Sequence, residues 1–343
     1  MLDIDGSYGE GGGQLLRTAV ALSAVTGRDV AVRNIRARRD KPGLAPQHLA
    51  AVGAVAALCR GQVEGLALRS QKVRFSPGGL SGGEYRFDVG TAGSISLVLQ
   101  ALLPVLIAAG RAAAVTVTGG TDVRQAPPIG YLQNVMLPLL GCMGVDSELE
   151  VIRRGYYPRG GGEVRVAVAP GTLRPLGLEE PGAIVGIEGH AHVSNLPEHV
   201  ATRMRDAALE RFARVSGTSP RFRIEVLDRT RAIGAGGGIV MWARTQGTVL
   251  GAGRVAERGV RAETLGAAVG EELAADIAAG ATLDRHAADQ LLVYLALAKG
   301  GSYLARSITA HARTAMWLIE QFLPARFDVS SKGELVRVGV APL

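Results

Sequence analysis

Apolar and polar positions along the first 180 residues follow a pattern that occurs twice. Each copy predicts a strand, a helix, a second strand, a second helix and a hairpin, because stretches of period two alternate with longer stretches of helical period. The first copy places strands at 2–4 and 30–35, helices at 14–26 and 46–59, and a hairpin at 63–75. The second places strands at 85–89 and 114–118, helices at 94–108 and 127–140, and a hairpin at 147–168.

A third unit begins near Thr172 and is interrupted. Its second half returns as helix 285–298, strand 302–305, helix 311–322 and hairpin 327–340. The interruption has its own order: a strand to about Val193, helix 197–215, strands 221–226, 238–243 and 249–255, and helix 262–278. Two helices beside about four strands suffice for a small core. We therefore predict an α/β (α+β) fold, with a core domain of residues 1–182 and 281–343 and an inserted α/β domain of residues 183–280.

The composition adds a basic surface to this picture. The chain has 343 residues, of which 47% are hydrophobic, and a formal net charge of +7 at pH 7, with 34 arginines and four lysines. Arginine presents a fixed fork of donors to phosphate, and a basic surface attracts polyanions such as RNA. Aromatic residues make up only 4%, so a surface that stacks many bases is not expected.

Neither a membrane span nor a disulfide is predicted. The apolar run 97–109 is interrupted by Gln100 and falls short of the roughly 18 to 20 residues that span a bilayer, and no secretory leader precedes the first strand. Cys59 and Cys142 lie in apolar helical segments without a CxxC partner, which favours small core residues over a disulfide or metal pair. We expect no membrane association and a cytoplasmic location.

Residues 5–14 (Asp-Gly-Ser-Tyr-Gly-Glu-Gly-Gly-Gly-Gln) join the first strand to the first helix. Such a loop lets several N–H groups and the positive helix end face an anion. It has no lysine, so it is not a Walker loop, and the acidic residue of a dinucleotide fingerprint is also missing. Arg17, one turn into the helix, is the nearest cation. A purely structural turn remains the alternative.

His311 has the most suggestive setting of the six histidines. The run 307–314 (Ser-Ile-Thr-Ala-His-Ala-Arg-Thr) predicts a strand end leading into a capped helix, with His311 in its first turn. The positive helix end disfavours imidazolium and keeps a ring nitrogen free to attack a nucleotide phosphate. A hydrogen-bonded structural histidine is the alternative.

Other clusters allow both a functional and a structural interpretation. The basic loop 36–43, followed by Gln47 and His48, and the run 119–122 with 126–128 hold corresponding places in the two units, so we expect them to converge on one cleft. The hairpin run 154–164 favours a tight bend that needs glycine. His190, His192 and His199 lack acidic or cysteine companions, which favours surface histidines over a metal site.

Five stretches together closely resemble the RNA 3′-terminal phosphate cyclases, over essentially the whole chain. They are residues 9–14, Arg36 with 41–44 (Lys-Pro-Gly-Leu), 119–122 (Gly-Gly-Thr-Asp), 154–164, and His311-x-x-Thr314. The pattern Arg-Gly-x-x-Pro-x-Gly-Gly-Gly-x-Val at 154–164 is highly specific to that family, whereas each glycine loop alone is weak. The resemblance implies a core of three βαβαββ units with an inserted α/β domain, in agreement with the periodicity.

The resemblance also implies a mechanism. The histidine that matches His311 attacks the α-phosphorus of ATP, releases pyrophosphate and retains AMP. AMP then moves to an RNA 3′-terminal phosphate, and the neighbouring 2′-hydroxyl expels it and closes a 2′,3′-cyclic phosphate. This order makes chemical sense, since the phosphate gains a leaving group and the vicinal hydroxyl is held close to it.

Site residues are carried over position by position. The resemblance makes His311 the nucleophile and places Arg17, Arg36 and Arg39 at phosphates, and it implies a divalent metal (Mg or Mn) held with the help of Glu10. The nucleotide-binding positions that it implies are Glu10, Gln14, Gln47, Gln100, Pro127, His286, Asp289 and Gln290. Asp289 would meet the ribose hydroxyls and His286 the adenine face. His286 stands where relatives often have tyrosine, and Ala315 where asparagine is frequent, which we expect to affect adenine affinity more than chemistry.

Three alternatives remain at this point. A non-catalytic ribosome-assembly relative shares the core but lacks the histidine. An enolpyruvyl transferase shares the repeated fold and needs no ATP. A pure RNA-binding module fits the charge but not the scarcity of aromatic residues. We expect RNA with a 3′-terminal phosphate as the partner, and a homodimer is left open.

Overall fold

The first repeat forms a four-stranded sheet covered by two helices in the computed structural model, which describes residues 1–213 and 220–342. Its elements are β1 (Leu2–Asp5), α1 (Gly13–Thr26), β2 (Val30–Arg33), α2 (Pro46–Cys59), β3 (Gln62–Glu64) and β4 (Val73–Ser76). The strand order is β1-β2-β4-β3, in which β1 and β2 are parallel and the other pairs are antiparallel.

The second repeat has the same order of elements. They are β5 (Gly83–Asp88), α3 (Ile95–Ala108), β6 (Ala113–Gly119), a long helical segment, β7 (Ser147–Gly155) and β8 (Gly162–Val168). The helical segment consists of α4 (Ile129–Tyr131), a π-helical stretch (Leu132–Met136) and α5 (Leu137–Cys142). The sequence predicts one regular helix here, so the π-helical stretch is a difference.

The third repeat is interrupted by residues 183–280, which we call the inserted segment. β9 (Leu176–Gly177) precedes it. The inserted segment contains β10 (Ile184–Ser194), α6 (Glu198–Ala213), β11 (Arg221–Leu227), β12 (Ala232–Ile233), β13 (Gly236–Thr245), β14 (Val249–Val255) and α7 (Ala262–Ala278). The repeat then resumes with α8 (Arg285–Leu297), β15 (Gly301–Ala305), α9 (Ala310–Phe322), β16 (Ala325–Lys332) and β17 (Leu335–Pro342). Residues 214 and 215 of the predicted helix lie outside the described residues.

The three repeats share one sheet topology. The orders β1-β2-β4-β3, β5-β6-β8-β7 and β9-β15-β17-β16 each join a parallel pair to an antiparallel hairpin. The predicted α/β fold of repeated βαβαββ units is therefore confirmed.

The helices of the repeats share one apolar core. α1 packs against α2, α3 and α9, and α3 also packs against α8. α3 is apolar on almost every side, which is typical of a helix buried on all faces, and most of its residues are buried. Cys59 is buried as predicted, but Cys142, the last residue of α5, is exposed, so the prediction that it is a core residue was wrong. No helix among the described residues is long and apolar enough to cross a bilayer.

The inserted segment has an apolar core of its own between α6, α7 and one face of the sheet β11-β10-β13-β14. Val240, Trp242 and Val249, on the other face of that sheet, join the core of the repeats. The short strand β12 was not predicted. It leaves the inserted sheet and pairs with Arg154 and Gly155 of β7, at the edge of the second repeat's sheet.

Candidate active site

An open cleft of about 600 Å³ lies where several helices begin. The first two turns of α1, α2, α3, α8 and α9 line it, together with the start of the helical segment at Ile129. β14 of the inserted segment closes one side through Gly253, Arg254 and Val255. Because each helix begins with unpaired N–H groups and the positive end of its dipole, this convergence favours an anionic ligand.

All twelve site residues named from the sequence line this cleft. They come from all three repeats, so only the folded chain brings them together. The set is Glu10, Gln14, Arg17, Arg36, Arg39, Gln47, Gln100, Pro127, His286, Asp289, Gln290 and His311. The structure thus places the residues in one site, while their individual roles stay predictions.

His311 lies in the first turn of α9, where the sequence predicts it. The cap of this helix is Thr309, whose Oγ1 accepts the N–H of Ala312 at 3.0 Å and donates to Oδ1 of Asp289 at 2.6 Å. The His311 side chain is 47% exposed, and its Nδ1 lies 3.6 Å from Oε2 of Glu10. The imidazole is therefore accessible from the cleft and adjacent to the glycine loop.

Glu10 connects the glycine loop to two other parts of the site. Its carboxylate pairs with the guanidinium of Arg39 and faces His311. Its backbone N–H donates to Oγ1 of Thr314 at 3.1 Å. Glu10 thus contributes a single carboxylate, flanked by a cation and an imidazole.

Arg17 and His48 form a buried floor beside the start of α1. Arg17 is 6% exposed, and burial lowers its pKa to about 10, so it stays charged at neutral pH. Burial, with the charges of Arg17 and Arg36, lowers the pKa of His48 to about 3. Nδ1 of His48 accepts the N–H of Ala45 at 3.0 Å, so the neutral ring carries its proton on Nε2, next to Gly13. The floor offers a fixed cation and a neutral donor.

Arg36 and Gln47 are held at the wall of the cleft. Arg36 donates from Nη1 to the carbonyl of Gly43 at 2.7 Å, and burial, with the nearby charge of Arg69, lowers its pKa. Oε1 of Gln47 accepts the N–H of Ser94 at 3.3 Å. These bonds orient both side chains.

The opposite half of the cleft is balanced in charge, because Arg254 and Arg285 line it together with Glu257 and Asp289. Gln100 donates to Oε1 of Gln290 at 2.8 Å. The ring of His286 meets Tyr131 edge to face, with centroids 5.9 Å apart, and burial lowers the pKa of His286, which keeps the ring neutral. Burial raises the pKa of Asp289 despite its bond from Thr309. Neutral rings and amides, with no excess of positive charge, match a nucleoside better than a polyphosphate.

Sequence reasoning missed several residues of this site. Tyr131 donates to Oδ1 of Asp284 at 2.7 Å, and Asp284 also caps α8. Arg254, from the inserted segment, lines the cleft and pairs with Glu272 at 2.7 Å. An aspartate just before a predicted helix is a visible signal for Asp284. Arg254 gave no local signal, because its position depends on how the inserted segment packs.

The run 154–164 lies outside the cleft. Arg154 pairs with Asp122 at 2.8 Å, and both side chains are buried. The turn 119–122 therefore faces the inserted segment, and only the later part of that loop, residues 125–128, lines the cleft. Our expectation that the whole loop converges on the cleft was wrong in this part. A Cβ on Gly155 would lie 2.6 Å from the carbonyl oxygens of Gly119 and Gly160, so the predicted need for glycine in the hairpin is met.

Of the histidines expected at the surface, His192 is buried and His190 is half-buried. His192 is 2% exposed, with Nε2 at 3.6 Å from Oδ2 of Asp122, and Nε2 of His190 lies 3.1 Å from Oε2 of Glu225. They point from β10 toward the second repeat, where the sheets meet. Among the described residues, no group of three or more His, Cys, Asp or Glu could hold a metal ion.

The fold and the cleft together define a class of protein. It is a triple-repeat α/β chain whose helix amino ends, arginines and accessible histidine are suited to chemistry on phosphates.

Comparison with known proteins identifies the family. The family model of RNA 3′-terminal phosphate cyclases matches residues 8–329. The chain is 54% identical over 344 residues to an RNA 3′-terminal phosphate cyclase of Nitrosospira multiformis, which covers all of this chain and 97% of that protein. It is 44% identical over 348 residues to the namesake of Methanopyrus kandleri, covering all of this chain and 99% of that one. The chain belongs to the RNA 3′-terminal phosphate cyclase family.

Proposed function

We propose that this chain converts the 3′-terminal phosphate of RNA to a 2′,3′-cyclic phosphate, with ATP as co-substrate. The observation that carries the proposal is the accessible imidazole of His311, placed beside the glycine loop inside a cleft lined by arginines. In the first step a ring nitrogen bonds to the α-phosphorus of ATP, the bond to the bridging oxygen breaks, and pyrophosphate leaves. AMP then passes to the RNA 3′-phosphate, and the 2′-hydroxyl displaces it.

Nε2 of His311 is the nitrogen best placed to attack. Nδ1 faces the carboxylate of Glu10 at 3.6 Å, so this side of the ring is oriented by an acceptor. A carboxylate there favours the tautomer with its proton on Nδ1 and stabilises the imidazolium character that develops during attack. Glu10 thereby acts on the nucleophile.

The phosphates would lie between the start of α1 and the arginines. Arg17 stays charged, and Arg36 and Arg39 come from the loop on the other side of the glycines. Forked donors and helix amino ends stabilise the negative charge on a phosphorus under attack. Gln14 and Gln47 supply neutral donors to the same region.

The nucleoside of ATP would lie in the half of the cleft that is balanced in charge. Gln100, Pro127 and Gln290 frame the adenine, His286 faces its ring, and Asp289 receives the ribose hydroxyls. The edge-to-face contact with Tyr131 supports His286 from behind.

Glu10 is the residue of this site that suits a divalent metal, Mg or Mn. Glu10 is the carboxylate of the glycine loop that lines the cleft. Mg²⁺ is commonly held by one or two carboxylates together with substrate phosphates and water. We propose that Glu10 helps to hold the metal, which would neutralise phosphate charge when bound.

Three further predictions, on domain boundaries, cellular location and oligomeric state, complete the proposal. The apolar core that α6 and α7 form with one face of the inserted sheet supports a core domain of 1–182 and 281–343 and an inserted domain of 183–280. Two free cysteines fit a reducing, cytoplasmic location. The molecular mass in solution tests whether the protein forms a homodimer.

The test is incubation with α-labelled ATP and Mg²⁺, followed by denaturing electrophoresis. Label should stay on the protein as an acid-labile, base-stable phosphoramidate, and His311→Ala should remove it. His199→Ala is the matched control, because His199 is an exposed histidine in the first turn of α6. Labelled His311→Ala protein would refute the nucleophile. Unlabelled wild-type protein that still binds RNA would favour a non-catalytic relative.

A further inference from the structure

Two contacts fasten the glycine loop to α9, the helix that carries His311. The ring of Tyr8 stacks on Trp317, with centroids 3.8 Å apart and planes at 21°. The N–H of Glu10 donates to Oγ1 of Thr314 at 3.1 Å. His311, Thr314 and Trp317 are three residues apart along α9, so the loop follows the helix for two turns from the histidine.

The hydroxyl of Thr314 is fully committed to this contact. It donates to the carbonyl of Ala310 at 2.8 Å, which leaves a lone pair to accept the N–H of Glu10. Gly9 has φ +57°, and a Cβ there would collide with the same hydroxyl oxygen. The loop backbone therefore lies directly on Oγ1, with no room for another side chain.

Thr314 does not touch the cleft itself. It is 7% exposed and is not among the cleft-lining residues. The residue that it fixes, Glu10, has its carboxylate at the nucleophile, with Oε2 at 3.6 Å from Nδ1 of His311. The hydroxyl thus connects a backbone position in the first repeat to the reacting histidine in the third.

We propose that Thr314 is a positioning residue for the transfer of AMP to His311, acting through the backbone of Glu10. This inference rests on the proposed function. The hydrogen bond sets where the loop crosses α9, and so sets the distance between the Glu10 carboxylate and the imidazole. Catalytic groups displaced by about 1 Å lose roughly 100-fold in rate.

The test compares Thr314→Val with Thr314→Ser. Valine keeps the shape but removes the acceptor, whereas serine keeps the hydroxyl. We expect valine to lower the single-turnover rate of protein adenylylation about 10- to 100-fold, with a smaller loss in ATP affinity, because Thr314 does not line the cleft and acts on the geometry at His311. Serine should stay within about threefold of wild type. Thr314→Ala removes the same hydroxyl and replaces the valine variant if that protein does not fold.

A double-mutant cycle separates positioning from general stability. If Thr314 acts through the Glu10 carboxylate, Thr314→Val in a Glu10→Gln background should cost less than about twofold more in rate. Losses that multiply, or a valine variant that adenylylates like wild type, would overturn the inference while wild-type labelling still supports the proposed function. Absence of labelling in wild type would instead count against the proposed function itself.

Discussion

The cleft around His311 and the cluster around Arg154 use the same residue types in different surroundings. In the cluster, the side chains of Arg154 and Asp122 are 7% and 0% exposed and lie 2.8 Å apart. Burial opposes ionisation of Asp122, but Arg154 and His192 outweigh it and hold its pKa far below the usual range. In the cleft, the paired side chains of Arg39 and Glu10 are 45% and 18% exposed.

This difference distinguishes charges that stabilise the fold from charges that a ligand can reach. The cluster pairs Arg154 with Asp122 between the second repeat and β10, and an open cavity of about 750 Å³ reaches only its edge, at Arg154 and His190. The cleft leaves charges partly open to solvent, at the amino ends of helices. Within the family-specific run 154–164, Arg154 and Gly155 therefore contribute to packing, whereas the glycine loop lines the cleft.

The largest expected effect comes from breaking the buried pair. Arg154→Met should lower the free energy of unfolding by about 3 to 5 kcal/mol, because Asp122 is left as an unpaired buried charge. Urea denaturation measures this, and adding Asp122→Asn should restore part of the stability. If Arg154→Met were as stable as wild type but failed to adenylylate, the cluster would have a catalytic role, and the distinction between the two regions would be wrong.

His48 sharpens the comparison, because it is a buried residue within the cleft. Its pKa is lowered to about 3, so the unfolded chain binds a proton that the folded chain refuses as pH falls below the ordinary value of about 6.5. The free energy of unfolding is therefore unaffected by this histidine above that pH. It falls on acidification, by about 2 kcal/mol at pH 5.

His48→Asn keeps an acceptor for the N–H of Ala45 and does not titrate. The unfolding free energy of the variant should therefore fall less between pH 7.5 and pH 5 than that of wild type, by about 2 kcal/mol. His190 and His192 titrate in both proteins, so the difference isolates His48. Parallel pH profiles in the two proteins would show that His48 is not held neutral.

The smallest effect on stability is expected at the exposed pair. Arg39→Ala should change the unfolding free energy by less than about 1 kcal/mol, as for other surface ion pairs. It should lower cyclisation of 3′-phosphate RNA about 10-fold or more, beyond any loss in adenosine binding, because a donor to phosphate is removed. Arg38→Ala, from the same loop but outside the cleft, is the matched control. Equal losses in both assays would argue against a phosphate role for Arg39.

The sequence predicted what depends on local pattern. Periodicity predicted the repeats and the inserted segment, and an N-cap pattern placed His311 in the first turn of α9. Family resemblance named twelve residues that fold into one cleft. Each of these depends on spacing within a short stretch or on motifs matched position by position.

What escaped prediction depends on how distant elements pack. His192 is buried and His190 half-buried because the inserted sheet lies against the second repeat, which alternation along β10 does not reveal. A two-residue strand such as β12 has no periodicity to detect. The π-helical stretch at Leu132–Met136 is a change of hydrogen-bond register, which the helical period of the sequence does not reveal.

The pairing of β12 with β7 decides how the inserted segment could be removed. Its two residues complete the edge of the second repeat's sheet at Arg154 and Gly155, and β14 walls the cleft. A shortened chain that joins residue 182 directly to 281 would leave that edge uncovered and the nucleotide site open on one side. The inserted segment is thus structurally integrated with the repeats, and is not a module that could be deleted or transferred as a unit.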